Sequence, residues 1–176
     1  ALSIKNATKD PWKDADKNHK VAIKLLLADT SGDPSMVTRF NQEAVAAGSL
    51  DHPNIVKILE HSVTADGLPY IVMEFLSGQS LSEAIADEAM DEERLVRLMI
   101  DIANALSHAH NRLVVHRDIK PSNIMIVPEA EGQMKAVLVD FGIAKIFAQP
   151  GQTMLKLTQT GEIFGSPLYM SPEQCM

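Results

Sequence analysis

A polar string near the middle of the chain collects several residue types that can act on a phosphate group. It runs from His116 to Asn123 and places Asp118, Lys120 and Asn123 on one loop. Transfer of a phosphoryl group requires cations around the phosphates and a positioned acceptor hydroxyl. A second string, Asp140-Phe141-Gly142, adds another carboxylate, and Mg²⁺ favours oxygen ligands of this kind. Taken alone, the first string could also be an ordinary polar turn.

Lys24 is unusual because it lies within an apolar run. Residues 20–27 read Lys-Val-Ala-Ile-Lys-Leu-Leu-Leu, which predicts a strand. A buried charge is costly unless it is paired, so Lys24 is expected to have a carboxylate partner. Glu43, on the helix predicted for 35–48, is the candidate partner. The alternative is an edge-strand lysine and a solvated helical glutamate.

Three motifs, taken in order along the chain, resemble the signature set of the protein-kinase family. They are Val21-Ala22-Ile23-Lys24, the string from His116 to Asn123, and Asp140-Phe141-Gly142. A lysine two residues after the aspartate, here Lys120, is the pattern of Ser/Thr kinases. The string from Gly165 to Gln174 resembles the bacterial kinases that are similar to eukaryotic enzymes. The resemblance extends from the family's second strand to the end of its activation segment.

The resemblance implies an enzyme that moves the γ-phosphoryl group of ATP to Ser/Thr hydroxyls of proteins, with ATP and Mg²⁺ as cofactors. It implies that Lys24 holds the α- and β-phosphates and that Glu43 steadies Lys24. Asp118 would orient the acceptor hydroxyl and accept its proton, and Lys120 would neutralise the transferring group. The implied Mg²⁺ ligands are Asn123 and Asp140.

The adenine side of the site is implied by Met73-Glu74-Phe75-Leu76, which resembles the family's hinge between two lobes. Adenine would bond to the backbone at Glu74 and Leu76, and Met73 would guard the back pocket. Three apolar residues are candidates to enclose the adenine ring, with plain core packing as the alternative: Ile4, Ala22 and Met125.

Arg117 suggests how such an enzyme would be controlled. An arginine beside Asp118 needs an anion, which a phosphorylated activation segment would supply. Thr158 and Thr160 are the favoured autophosphorylation sites, and a homodimer could phosphorylate them in trans. The alternative is an arginine bonded to backbone carbonyls. Ser166 lies in a turn that resembles the substrate pocket, where it would bond to Asp118 or Lys120.

The elements that position these residues change in character along the chain. Strands predicted at 20–27, 55–61 and 70–75 surround one helix at 35–48. Helices at 80–88 and 92–111 follow, and then a short apolar strand at 113–115. The expected fold is therefore α+β and bilobal. Residues 1–76 would form an antiparallel sheet lobe with one helix, and residues 77–176 the first part of a mainly α-helical lobe. The Gly-rich phosphate loop of the family is not visible, since no glycine precedes Gly32.

Composition excludes several other classes. The net charge of −7 argues against bulk nucleic-acid binding. A single cysteine, Cys175, forms no intrachain disulfide, which fits a reducing, cytoplasmic setting. No apolar run approaches the roughly 20 residues that span a bilayer. Both ends read as cuts in a longer protein, which could carry an anchor elsewhere, so this fragment alone is expected to be inactive.

Two competing interpretations remain beside an active Ser/Thr kinase. The first is a binding module, a pseudokinase that binds ATP and scaffolds without transfer. The intact Lys24, Asp118, Asn123 and Asp140 argue against it, and the Gly-rich loop that is not visible keeps it open. The second is a small-molecule kinase of related fold. Such enzymes lack the Lys-Pro-Ser-Asn run and the long activation segment that ends here in Ser171-Pro172-Glu173.

Overall fold

The structure, a computed structural model, describes residues 20–25, 34–87, 90–141 and 167–175. Four residues singled out above lie outside this described part, so their placement remains a prediction: Ile4, Thr158, Thr160 and Ser166. No helix in the described ranges is both long and apolar enough to cross a membrane.

The first sheet has three antiparallel strands in the order β1-β3-β2. They are β1 (Val21–Leu25), β2 (Ile58–Val63) and β3 (Pro69–Glu74). β3 is central, and its Ile71 and Val72 are buried. The register sets Lys24 opposite Ile71 and Ala22 opposite Met73, which brings the strand lysine and the predicted hinge to neighbouring strands.

One helix, α1 (Pro34–Gly48), packs against this sheet. Its buried face consists of Phe40, Ala44 and Ala47, which recur at helical spacing. Glu43 therefore lies next to the buried stripe and is only partly exposed. The predicted helix at 35–48 is confirmed to within one residue.

A second sheet follows, with its three antiparallel strands in the order β4-β5-β6. The strands are β4 (Gln79–Ser80), β5 (Ile124–Pro128) and β6 (Met134–Leu138), and the helices of this part are α2 (Leu81–Ala86), α3 (Glu92–His110) and α4 (Pro172–Cys175). A capping box between Ser80 and Glu83 begins α2, and the Asp91 side chain caps α3. One hydrophobic core joins α1, β3, α2, α3, β5 and β6.

Gly78 connects the first sheet to the second at very close range. A Cβ built on Gly78 would overlap the carbonyl oxygen of Ile126 and crowd the side chain of Val127. The absence of a side chain therefore lets the chain after the hinge lie directly against β5. Met125, a candidate adenine contact, directly precedes Ile126 on that strand.

The predicted bilobal α+β class is confirmed, and two details differ. The strand expected from Ile55 begins only at Ile58, because residues 54–56 bond to β6 instead. The apolar run at 113–115 is not a strand. Leu113 has a φ of 61°, and the Val114 N–H donates to the carbonyl of Ala109 at 3.0 Å, which ends α3 in a tight turn.

Candidate active site

The loop from His116 to Asn123 is fastened to the end of β6 by buried polar residues. His116 is 1% exposed, and its Nε2 lies 3.0 Å from the carbonyl oxygen of Val139. The Val139 N–H in turn donates to the carbonyl of Asn123 at 3.0 Å. Val139 directly precedes Asp140, so the two polar strings of the sequence meet at one residue.

Three side chains of the loop form one hydrogen-bonded group. Asn123 Nδ2 donates to the backbone carbonyl and to Oδ2 of Asp118, both at 2.9 Å. Lys120 Nζ lies 3.1 Å from the same Oδ2. Because two donors converge on one oxygen, the plane of the Asp118 carboxylate is fixed. The predicted grouping of Asp118, Lys120 and Asn123 is thus present in the structure, although their catalytic roles remain proposals.

Lys24 pairs with Asp140 across the site. Lys24 Nζ is 2.9 Å from Asp140 Oδ1, and both side chains are about one-third exposed. Asp140 has a φ of 60°, and Arg117 has a φ of 63°. Left-handed backbone is uncommon for non-glycine residues and collects at functional sites. The expected carboxylate partner of Lys24 exists, but it is Asp140.

The predicted pairing of Glu43 with Lys24 is not present in this structure, and the role of Glu43 stays a prediction. Glu43 Oε1 instead lies 3.3 Å from Arg117 Nη1. The requirement that Lys24 have a carboxylate partner was sound, but it does not choose between two carboxylates. Arg117 likewise has a carboxylate partner here, Glu43.

The residues expected around adenine gather at one small apolar cluster. Met73, Leu76 and Met125 all pack against Val56, Val127 and Val137. Ala22 is the cross-strand neighbour of Met73.

Glu74 of the predicted hinge is hydrogen-bonded to the backbone of Lys57, the residue before β2. Its side chain accepts a hydrogen bond from Lys57 N–H at 2.8 Å, and its N–H donates to the Lys57 carbonyl at 3.0 Å. The backbone N–H of Glu74 is therefore already hydrogen-bonded to the segment before β2.

The donors at this site suit Mg²⁺ held jointly with phosphate oxygens. Within the described ranges no group of three or more His, Cys, Asp or Glu side chains could hold a metal by itself. Asn123 and Asp140 offer an amide and a carboxylate, which are hard oxygen donors. Both hydrogen bonds of the Asn123 amide use its nitrogen, which leaves the oxygen for a cation. The site therefore fits a cation that keeps most of its ligands from substrate and water.

Three features near the site were not predicted from the sequence: a cavity, Asn54 and Asp101. A small apolar cavity beside the Lys24–Asp140 pair is lined by Val56, Ile58 and Phe141, among others. Asn54 and Asp101 bond to the backbone of β6. Both have polar side chains of common types, so nothing in the sequence marked them as partners of β6.

The pKa of His116 is lowered from its usual value, chiefly by burial. Its bond to Val139 and the nearby carboxylates of Asp118 and Asp140 raise the pKa by less than burial lowers it. Its Nδ1 accepts from Asp118 N–H at 3.3 Å, so the neutral ring must donate from Nε2 to Val139. The unfolded chain therefore binds more protons near the ordinary pKa of about 6.5. We expect the stabilisation from neutral His116 to be complete above that pH and to decline as the pH falls below it.

Denaturant titrations of the full-length protein between pH 5 and 8 would measure this decline. The matched variant is His116→Gln, which keeps a donor and an acceptor without titrating. His52, whose pKa is also lowered by burial, contributes equally to both proteins. Identical pH dependence of wild type and variant would show that His116 does not titrate as expected.

Comparisons with known proteins agree with this geometry. The model of the protein kinase domain family matches residues 11–175. The chain is 40% identical over 155 residues to serine/threonine-protein kinase pkn3 of Myxococcus xanthus, covering 88% of this chain and 28% of that protein. It is 39% identical over 166 residues to serine/threonine-protein kinase PknB of Mycobacterium tuberculosis, covering 92% and 25%.

Among solved structures, the PknI kinase domain of Mycobacterium tuberculosis matches with a TM-score of 0.58 and 30% identity, over 70% of this chain and half of that one. The chain spans about a quarter of the length of the curated relatives it matches. Since the family model matches nearly all of the sequence, the chain belongs to the protein kinase domain family.

Proposed function

We propose that the protein is a serine/threonine protein kinase, which transfers the γ-phosphoryl group of ATP to Ser/Thr hydroxyls of other proteins. The observation that carries this proposal is the grouping of Lys120 and Asn123 on one oxygen of Asp118, next to the Lys24–Asp140 pair. One carboxylate would thereby be oriented for an acceptor hydroxyl, a second carboxylate would hold the metal, and the lysine would hold the phosphates. Membership of the kinase family supports the same reaction.

Asp118 would orient the acceptor hydroxyl and accept its proton as the phosphoryl group departs from ATP. Lys120, 3.1 Å from Asp118, would place a positive charge beside the transferring group. Asn123 would hold both the carboxylate of Asp118, through its nitrogen, and the metal, through its oxygen. This dual contact ties the position of the base to the position of the metal.

Mg²⁺, when bound between Asn123, Asp140 and the phosphates, supplies charge neutralisation for the transferring group. Lys24 would then exchange Asp140 for the α- and β-phosphates. That exchange would allow Lys24 to pair with Glu43, as the family's motif implies. We therefore interpret the Lys24–Asp140 and Glu43–Arg117 pairs as a resting arrangement.

Control by phosphorylation follows from the second of these pairs. Arg117 can hold either Glu43 or a phosphate on the activation segment, where Thr158 and Thr160 are the proposed sites. A phosphate carries more charge than a carboxylate and accepts several hydrogen bonds. Phosphorylation would therefore draw Arg117 away and free Glu43 for Lys24. We further propose a cytoplasmic site of action, protein substrates, and phosphorylation between two copies of the chain.

The test is a transfer assay on the full-length protein with ATP, Mg²⁺ and a generic substrate such as casein. We expect phosphate on serine and threonine, and its loss on chelation of Mg²⁺. Lys24→Met should abolish transfer, because the phosphates lose their lysine. The matched control Lys57→Met removes an exposed lysine outside the site and should retain wild-type turnover. Tight ATP binding without transfer by the wild type would favour the binding-module alternative.

A further inference from the structure

Strand β6 leads directly to Asp140, and among the residues that the structure describes it has a strand neighbour on one side only. An open edge of this kind normally leaves backbone groups unpaired. Here four such groups are bonded. The Ala136 N–H donates to Asp101 Oδ2 at 3.0 Å, and the Ala136 carbonyl accepts from Asn54 Nδ2 at 2.7 Å. The Leu138 N–H donates to the Asn54 carbonyl at 2.8 Å, and the Leu138 carbonyl accepts from Val56 N–H at 2.9 Å.

Asn54 makes two of these four bonds, one with its side chain and one with its backbone. It is 8% exposed, and it is one of three buried polar residues in the described part of the chain. The other two are His116 and Asn123, both of which bond to Val139. All three buried polar residues therefore bond to the short segment 136–139 that precedes Asp140.

The position of Asn54 in the chain connects this segment to α1. α1 ends at Gly48, and the turn that follows is tightened by a bond from Asn54 N–H to His52 Nδ1 at 3.1 Å. The His52 ring contacts the ring of His108 on α3, with centroids 5.0 Å apart. The turn is thus docked on both β6 and α3.

We propose that Asn54 is a positioning residue for Asp140, which rests on the proposed role of Asp140 as a metal ligand. By bonding to the open edge of β6, Asn54 fixes the strand end that carries Asp140 relative to the end of α1. Asn54 touches no phosphate, metal or acceptor itself. Asp101 holds the N–H of the same residue, Ala136, and acts with Asn54 on one peptide segment.

The test measures nucleotide binding to the full-length protein by fluorescence titration, with and without Mg²⁺. Residues that support metal ligands typically change metal affinity by about 10–100-fold when they are removed. We expect Asn54→Ala to bind nucleotide without Mg²⁺ as tightly as the wild type does. The factor by which Mg²⁺ increases the nucleotide affinity should fall roughly tenfold. Hydrogen exchange of the peptide containing Leu138 should become faster in the nucleotide-free protein.

A second pair of variants checks the physical route. Asn54→Asp loses the donor and sets a carboxylate against the Ala136 carbonyl, so its loss of Mg²⁺ dependence should be at least as large. Asp101→Ala should act in the same direction. Both side chains bond to Ala136. The double variant Asn54→Ala/Asp101→Ala should therefore lose a smaller factor of Mg²⁺-dependent nucleotide affinity than the product of the two single-variant factors.

Two controls separate positioning from stability. Asn104→Ala removes an exposed asparagine of α3 and should match the wild type in every measurement. Ile102→Ala truncates a buried side chain of α3, so it should lower the melting temperature without altering the Mg²⁺ dependence. If Asn54→Ala does not fold, Asn54→Ser, which retains a short donor, is measured in its place with an intermediate loss expected.

The outcomes are distinct. A less stable Asn54→Ala or Asn54→Ser protein with wild-type Mg²⁺ dependence would show that Asn54 is structural only and would overturn the proposal. A wild type whose nucleotide affinity does not respond to Mg²⁺ at all would instead contradict the proposed function. A loss confined to the Mg²⁺-dependent affinity, together with faster exchange at Leu138, supports the positioning role.

Discussion

Asp118→Asn in the full-length protein should lower the rate of phosphoryl transfer by about 10²–10⁴-fold, the range usually associated with loss of a positioned acid or base. The amide cannot accept the proton of the acceptor hydroxyl. The bond from Asn123 to the Asp118 backbone carbonyl does not involve the changed side chain, so the loop should remain in place. Binding of ATP and Mg²⁺ should therefore survive. Rapid-quench transfer assays and nucleotide titrations measure the two effects separately.

The matched control is Asp66→Asn, the same chemical change in the exposed turn between β2 and β3. It should behave as the wild type in both measurements. A wild-type rate for Asp118→Asn would show that Asp118 is not the base. A joint loss of transfer and nucleotide binding would show that its main effect is on the structure of the loop.

Arg117→Gln should abolish the gain in activity that phosphorylation of the activation segment gives to the wild type. We expect that gain to be on the order of 10²-fold, because a phosphate forms up to about three charge-assisted bonds with arginine. In the unphosphorylated protein the same variant should be slightly faster than the wild type, since Glu43 is released. The Glu43–Arg117 pair is about half exposed at the arginine, 52%, and such pairs contribute at most about 1 kcal/mol. The increase should therefore not exceed roughly fivefold.

Initial rates of phosphatase-treated and phosphorylated protein would measure both effects. Glu43→Gln should be slow in both states, since Lys24 then lacks its partner in the active arrangement. Arg112→Gln, an exposed arginine after α3, is the matched control and should retain the full response. If Arg117→Gln responded to phosphorylation like the wild type, Arg117 would not be the phosphate receiver, and the resting-pair interpretation would fail.

Much of the site could be predicted because its residues are close in sequence or obey a strong local constraint. Asp118, Lys120 and Asn123 share one loop, so their grouping needed little knowledge of the tertiary fold. Lys24 was recognised because a charge within an apolar strand requires a partner. The identity of that partner depends on how α1 and the strand end at Asp140 are placed relative to β1, and sequence alone does not determine a choice between two carboxylates.

The contribution of Asn54 illustrates a second limit. Its side chain bonds to Ala136, 82 residues further along the chain. Nothing in the local pattern around Asn54 indicates that β6 lacks a neighbour on one side. The same holds for Leu113, where an apolar run resembled a strand while its backbone forms a left-handed turn. Long-range pairing and backbone conformation are decided by the assembled core rather than by neighbouring residue types.

The contact at Gly78 has a genetic consequence. Every other amino acid that a single base change can introduce there carries a Cβ, and that atom would collide with the backbone of Ile126 rather than with a movable side chain. Every missense change of the Gly78 codon is therefore expected to disturb the structure. A substitution at this exposed glycine would displace the backbone of β5 at Ile126, next to Met125, the predicted adenine contact.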